Sequence, residues 1–338
     1  MLTTEILSCI IVIIIYERIG EMSNKDNSAQ HITSIGGQAV IEGVMMRGPL
    51  EIATAVRKSD GSIVIDKKPV NSVITKYKLN KIPIVRGVVS FFESLVTGMK
   101  CLMFSADQMD IEDEEGYQPS KFETWLEDKL GDKIKDIAIY FSVVVALLFS
   151  IGLFMLLPNA LATVVSNFTE NHIILNLSEG VIRMSIFLCY LFLVSRMKDI
   201  QRVFEYHGAE HKTIATYESG AELTVENARK HSRLHPRCGT SFLLIVMVVS
   251  IIIFSFLRWG SMWQNMLYRL LLLPVVAGLS YEMIKLAGKS KNKFVALLTK
   301  PGLWLQKITT REPDDSQLEV AIESLKAVLT GNKEDDKW

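Results

Sequence analysis

The chain has 338 residues, equal numbers of acidic and basic side chains and a net formal charge of zero, with a mean hydropathy of +0.25. Zero net charge removes the electrostatic footprint of a nucleic-acid binder, so no nucleic-acid partner is expected. Positive hydropathy beside 22% charged residues excludes an evenly mixed soluble pattern and requires apolar and charged residues to be segregated along the chain. The four cysteines, Cys9, Cys101, Cys189 and Cys238, are scattered without a CxxC pair, so no disulfide framework is implied.

Residues 1–33 read as an N-terminal extension. Ile6 to Ile15 is apolar but too short to span a bilayer, and it lacks the basic flank and small-residue cleavage site of a signal peptide. The polar stretch opened by Met22 suggests a start there, or a peripheral anchor over residues 1–21.

Residues 34–110 read as a cytoplasmic β segment followed by an interfacial helix. Ile52 to Arg57 and Ser62 to Ile65 flank Ser59-Asp60-Gly61, a strong hairpin turn. Val85, Val88, Val89, Phe92, Leu95, Val96 and Met99 then recur at helical spacing. Arg86, Glu93 and Lys100 among them make Ile82 to Ser105 too charged for a span, so it reads as a helix lying in the membrane interface or packed on the helix bundle. Residues 111–136 read as an acidic linker and an amphipathic helix, Lys121 to Lys135.

A bilayer core needs roughly 20 apolar residues in a helix. Residues 137–287 supply four such runs: Ile137 to Leu157, ending at Pro158; Ile173 to Val194, with Arg183 inside; Phe242 to Leu257, which Cys238 to Ser241 can lengthen; and Met266 to Ala287. Arg269, Glu282 and Lys285 in the last run are expected to snorkel toward the interfaces. Lysine and arginine concentrate in the middle loop, residues 195–241, and in the stretch after the fourth run. By the positive-inside rule that loop and both termini face the cytoplasm. In residues 288–338, Phe294 to Ile308 reads as an interfacial helical hairpin around Pro301-Gly302, and Pro313 to Leu329 as a surface helix. Leu318, Ala321, Ile322, Leu325 and Leu329 form the stripe of that helix, which must dock on something, the β segment being one candidate. The fold class expected is an α-helical membrane protein of about four transmembrane helices, with a small N-terminal β-containing segment and amphipathic interfacial helices. The location expected is a bacterial inner membrane.

Four of the six histidines lie in the middle loop. His207 and His211 are four apart, so on a helix both imidazoles point the same way and suit one metal. Glu210 beside them is a candidate general base. At the other end of the loop, Pro236 pushes His235 out of helical geometry and His235-Pro-Arg-Cys238 offers a second pair of donors. Antiparallel spans bring the two loop ends to one membrane surface. Imidazole with thiolate favours zinc over magnesium or calcium. An isolated histidine pair is more often solvent-facing or bound to lipid phosphate; the second cluster makes the metal site an even match for that reading. His-x-x-Glu-His also fits the inverted zinc-peptidase spacing, whose third carboxylate could be Glu218 or Glu282. His231, His31 and His172 read as surface or incidental.

At these residues the chain resembles the YqhQ-like family of bacterial membrane proteins, described as of unknown function and as predicted metal-dependent enzymes. The matching stretches are Gly36 to Pro49, Arg86-Gly-Val, Tyr206 to Thr213, Tyr217-Glu218, His235 to Phe242 and Thr310 to Pro313. The resemblance covers about residues 34 to 330 and implies membrane location. It adds nothing independent on catalysis, because the enzyme label is a reading of the same histidines.

The leading expectation is a zinc-dependent, hydrolytic membrane enzyme. His207, His211, His235 and Cys238 would be ligands or near ligands, and Glu210 the base. Arg47 and Arg86, with Glu42, could complete the site from the N-terminal segment, the arginines holding an anionic group such as lipid phosphate. If all four donors bind, the site is closed and structural, so catalysis needs one to stand aside. The alternative is a non-enzymatic factor assisting insertion, assembly or quality control of other membrane proteins. Expected partners are the bilayer, membrane proteins or a lipid substrate.

Overall fold

A computed structural model describes residues 31–109, 133–289 and 293–337, apart from 73, 75, 76 and 78. The proposed Met22 start, most of the acidic linker and most of the helix at 121–135 lie outside them.

Among the described residues the fold is mostly helical, with four helices long and apolar enough to cross a membrane and one small antiparallel sheet. The sheet is a meander, β1 (Gly36–Val40), β2 (Gly43–Arg47), β3 (Glu51–Arg57) and β4 (Ile63–Pro69), in that spatial order. Gly61 takes a positive φ of 83° in the β3–β4 turn, the left-handed conformation that the Ser-Asp-Gly sequence announces.

Alternation along the strands gives the sheet two faces. Val44 and Met46 stand opposite Ala55 and Ala53 on one face, and they pack with helices α5 (Lys198–Ser219) and α10 (Asp315–Val328). Val40, Met45 and Val56 occupy the other face, against Cys101 of α1 (Val85–Asp107). The α10 helix begins with a capping box, in which Asp314 and Gln317 satisfy each other's backbone amides. It buries the expected stripe of Leu318, Ala321, Ile322 and Leu325 on the sheet and α5. Three segments far apart in sequence thus make one α+β unit.

The first apolar helix does not stop at Pro158. It runs through α2 (Lys133–Ile151), a π-helical turn at Gly152–Leu156 and α3 (Leu157–Val165). Pro158 cannot donate to the carbonyl four residues back, and a π turn is how a helix absorbs such a defect. That carbonyl, Phe154 O, instead accepts Arg183 Nε at 3.0 Å. Helix α4 (His172–Val194) follows, with Asn171 capping its first amides. A short helix, α6 (Val225–Lys230), precedes α7 (Gly239–Ser255). The α7 helix packs between α4 and α8 (Met262–Lys289). Its 17 residues reach about 25 Å, short of a bilayer core of about 30 Å.

The fourth helix that meets the length and composition of a span is therefore not α7 but α1, which the sequence assigns to the interface. Its contacts describe a ledge. Gly87 lies where a side chain would strike Tyr281 and Gly278 of α8, and Arg86 pairs with Glu282. Phe91 meets Phe242 at the start of α7. Farther along, Gly98 abuts Gln38 of β1, and the Ser105 hydroxyl accepts the Ile41 amide. The helix joins the ends of α7 and α8 to the sheet.

Two further expectations are corrected. Lys293–Thr309 is one continuous helix, α9, with Pro301 inside it rather than a hairpin about that residue. Arg269 does not snorkel. It is buried, and with Arg183 it closes on Glu179, while its guanidinium donates to Asn176 at 3.1 Å. Asn159 donates to the same carboxylate at 3.3 Å, and Asn176 reaches the Leu257 carbonyl at 2.8 Å. This polar cluster ties α3, α4, α8 and the end of α7 together.

Candidate metal centre

Tyr206 to Lys212 lie within α5, so the His207 and His211 rings share one face and meet edge to face, with centroids 4.5 Å apart. Cys238 is the N-cap of α7, its Sγ accepting the Thr240 amide at 3.4 Å. The turn before it is held by Gln306 of α9, which accepts the His235 amide at 2.9 Å and donates to the His235 carbonyl at 2.8 Å. Pro236 and Arg237 form the turn that the sequence predicts.

One donor atom each from His207, His211 and Cys238 lie within 4.8 Å of one another. His207 Nε2 is 3.2 Å from Cys238 Sγ. The far ring nitrogens are both spoken for: His207 Nδ1–H donates to Thr309 O at 2.8 Å, and His211 Nδ1–H to Arg233 O at 2.6 Å. Thr309 is the last residue of α9, where carbonyls lack intrahelical donors and are free to accept. Such bonds fix the tautomer that leaves each Nε2 lone pair unprotonated, as in metal-ligating histidines. His211 Nε2 is buried without a hydrogen-bond partner. Burial also holds the His211 pKa below its ordinary value, against the Cys238 contact that raises it.

His235 is the donor that stands apart. Its ring centroid is 5.6 Å from that of His211, and its Nε2 faces Glu218 at 3.4 Å. Glu218 also pairs with Arg237 and accepts the Thr33 amide at 2.9 Å. Burial pushes the Glu218 carboxyl up, but His235, Arg237 and that amide together hold it below the usual range. The support continues outward. Asp336 accepts the Thr33 hydroxyl at 3.0 Å and bonds His31 at 2.7 Å, so His31 is a partnered residue rather than an incidental one. His172 likewise accepts the Trp259 amide at 3.3 Å. His231 lies outside the three-donor group.

Glu210 is buried over β1, where it accepts the Gly37 amide. A side chain at Gly37 would sit 2.9 Å from the Glu210 carboxyl carbon, so only glycine leaves this room. Burial raises the Glu210 pKa, which His207, His235 and the amide partly counter. Glu210, the three donors, His235 and Arg47 line one cavity of about 540 Å³ between β1, α5, α1 and the start of α7. Arg86 does not line it and is committed to Glu282. Glu42 is held by Arg202 and by the Tyr206 hydroxyl at 3.2 Å, at a turn residue of φ 50°.

The sequence gave no signal for Gln306, Thr309 or the Arg233 carbonyl as supports. Two of these act through the backbone, which any residue type offers, and Gln306 is one polar residue in an amphipathic helix.

The family described as "Protein of unknown function (DUF1385)" matches residues 82–331, a span holding all three donors, Glu210 and His235. The chain belongs to this DUF1385 family. It is 38% identical over 299 residues to "Uncharacterized protein YqhQ" of Bacillus subtilis (strain 168), covering 87% of this chain and 92% of that protein. The DUF1385 match begins just before α1, leaving the sheet outside it. No solved structure matches the chain.

Proposed function

We propose that this protein is a metal-dependent membrane enzyme, hydrolytic in type, with its site where the helices meet the α+β unit on the cytoplasmic side of a bacterial inner membrane. The observation that carries the reading is the orphaned His211 Nε2, buried within 4.8 Å of donors from His207 and Cys238. A buried polar atom with no partner is costly, and a cation at that point would satisfy all three donors. Two imidazoles and one thiolate fit zinc, and three protein ligands are the pattern of catalytic rather than structural zinc sites. His235, turned to Glu218, is the residue that leaves the fourth position open. A bound zinc would supply Lewis acidity at the cavity wall.

The chain's own residues would do the rest. Glu210, whose pKa burial raises, would take a proton from water entering the cavity and return it to the leaving group. His235, steadied by Glu218, would bear on the reacting group from the opposite wall. The apolar lining from Ile35, Met45, Phe204 and Leu243 would limit bulk water.

Metal content of detergent-purified protein tests this. Wild type should carry about one zinc per chain, and a folded His207→Ala/His211→Ala variant none. A metal-free wild type after reconstitution would sink the proposal. The exposed row Phe92, Leu95, Val96 and Met99 on α1 would then favour a factor that docks other membrane proteins, read by co-purification of a stoichiometric partner.

A further inference from the structure

A second cavity of about 530 Å³ lies between α1 and the β3–β4 side of the sheet. Arg47 and Thr97 belong to both cavities, so the two meet at these side chains. One wall of the second is apolar, with Val89, Phe92 and Val96 of α1, and Phe92 and Val96 are 57% and 55% exposed. Lys68 of β4 stands on the sheet side, and Lys100 lies one turn beyond Val96 on α1.

Arg47 closes β2 at this junction, its guanidinium held only in a long ion pair with Glu93. Its nearest carboxylate oxygen, on Glu93, is 3.7 Å away, too far for a hydrogen bond. The Glu93 carboxylate is instead drawn to the Ser72 hydroxyl at 3.1 and 3.2 Å and to the Ile74 amide at 3.4 Å. Among the described residues, the Arg47 guanidinium makes no hydrogen bond. Lys68, by contrast, is paired with Asp66. A planar five-donor fork left open between two chambers matches a phosphate oxyanion, which it can hold through two parallel bonds.

We propose that the joined cavities hold one amphiphile: its phosphate lies on Arg47, its apolar chain runs along Phe92 and Val96 of α1, and the bond to be cut faces Glu210 and the three donors. Each chamber alone falls in the range of a small-molecule site, about 300–1,000 Å³. The pair therefore has room for a headgroup and the first part of a chain. The apolar row of α1 is the surface that a bilayer lipid would meet first. The substrate class rests on the metal-enzyme reading; the binding groove does not.

The test uses the full chain in nanodiscs, with thermal unfolding followed as decyl phosphate, inorganic phosphate or decanol is added, and with metal content measured on the same samples. Decyl phosphate should raise the midpoint at lower concentration than either fragment. Arg47→Ala should weaken its apparent affinity about tenfold or more, and Arg47→Lys by less, with metal content equal to wild type in both. No stabilisation by decyl phosphate, or the same response in Arg47→Ala, would overturn the proposal. A full response to inorganic phosphate alone would overturn it too, pointing to a free-phosphate site. Absence of metal with the decyl phosphate response intact would remove the enzyme reading and leave the groove.

Discussion

Two buried polar clusters among the described residues are built on opposite plans. Among the apolar helices, Glu179 draws two arginines and an asparagine onto one carboxylate, so its members mostly satisfy one another. At the junction with the sheet, His207 and His211 each spend one nitrogen on a backbone carbonyl and turn the other toward Cys238 and each other, where no proton donor answers His211. The first cluster holds helices together. The second turns its donors toward one point, which the proposed reading gives to a cation. Charge alone does not separate the two; what separates them is where the unanswered atoms converge.

That contrast can be broken at either end. Glu210→Gln is the most severe change expected for turnover, a loss of about 10²–10⁴-fold with metal retained. The same variant removes a buried carboxylate whose pKa is raised by desolvation. Metal-free Glu210→Gln should therefore unfold at an equal or higher temperature than metal-free wild type, increasingly so as pH rises. Full activity in this variant would remove Glu210 as the base. Glu179→Ala leaves Arg183 and Arg269 facing each other in an apolar setting, and should cost about 3–5 kcal/mol. Any folded fraction should keep its metal, since the two clusters share no residue. Metal loss in that fraction would show that they are coupled.

Glu218→Gln sharpens the comparison from the support side. The folded-state pKa of Glu218 lies below its ordinary value, so ionised Glu218 adds stability above the unfolded pKa, and that stability is lost as pH falls through the folded value. The variant should be less stable than wild type by roughly 2 kcal/mol near neutrality, and the gap should close in acid. A gap that stays constant with pH would mean that the charge is not what matters. The smallest effect is expected for Gly37→Ala. Its new methyl must displace Met45 O at 2.7 Å and Glu210 at 2.9 Å, costing roughly 1–2 kcal/mol. Its rate should fall more than its metal content, because the methyl touches Glu210 and none of the three donors.

Several of these positions were legible before any coordinates. The i, i+4 histidines and the break at Pro236 follow from helix periodicity and proline geometry alone. The stripe of α10 was equally plain, because one apolar row on an otherwise polar helix has to be covered. The reading of α1 was less complete. Its charges argue against a span and its length and composition allow one, while Gly87 and Gly98 bring it against α8 and β1. Glu179 leaves no mark in an apolar stretch of sequence, because its two partners, Arg183 and Arg269, lie on its own next turn and on a helix distant in the chain.

The sequence by itself determined the apolar runs, the hairpin, the surface helix and the residue types able to bind a metal, since each depends on period, length or side-chain chemistry within a short window. The tertiary structure decided which donors converge. Cys238 meets the histidines while His235 turns to Glu218, because Gln306 and Thr309 of a distant helix fix that turn and that ring, and packing between remote segments has no local code.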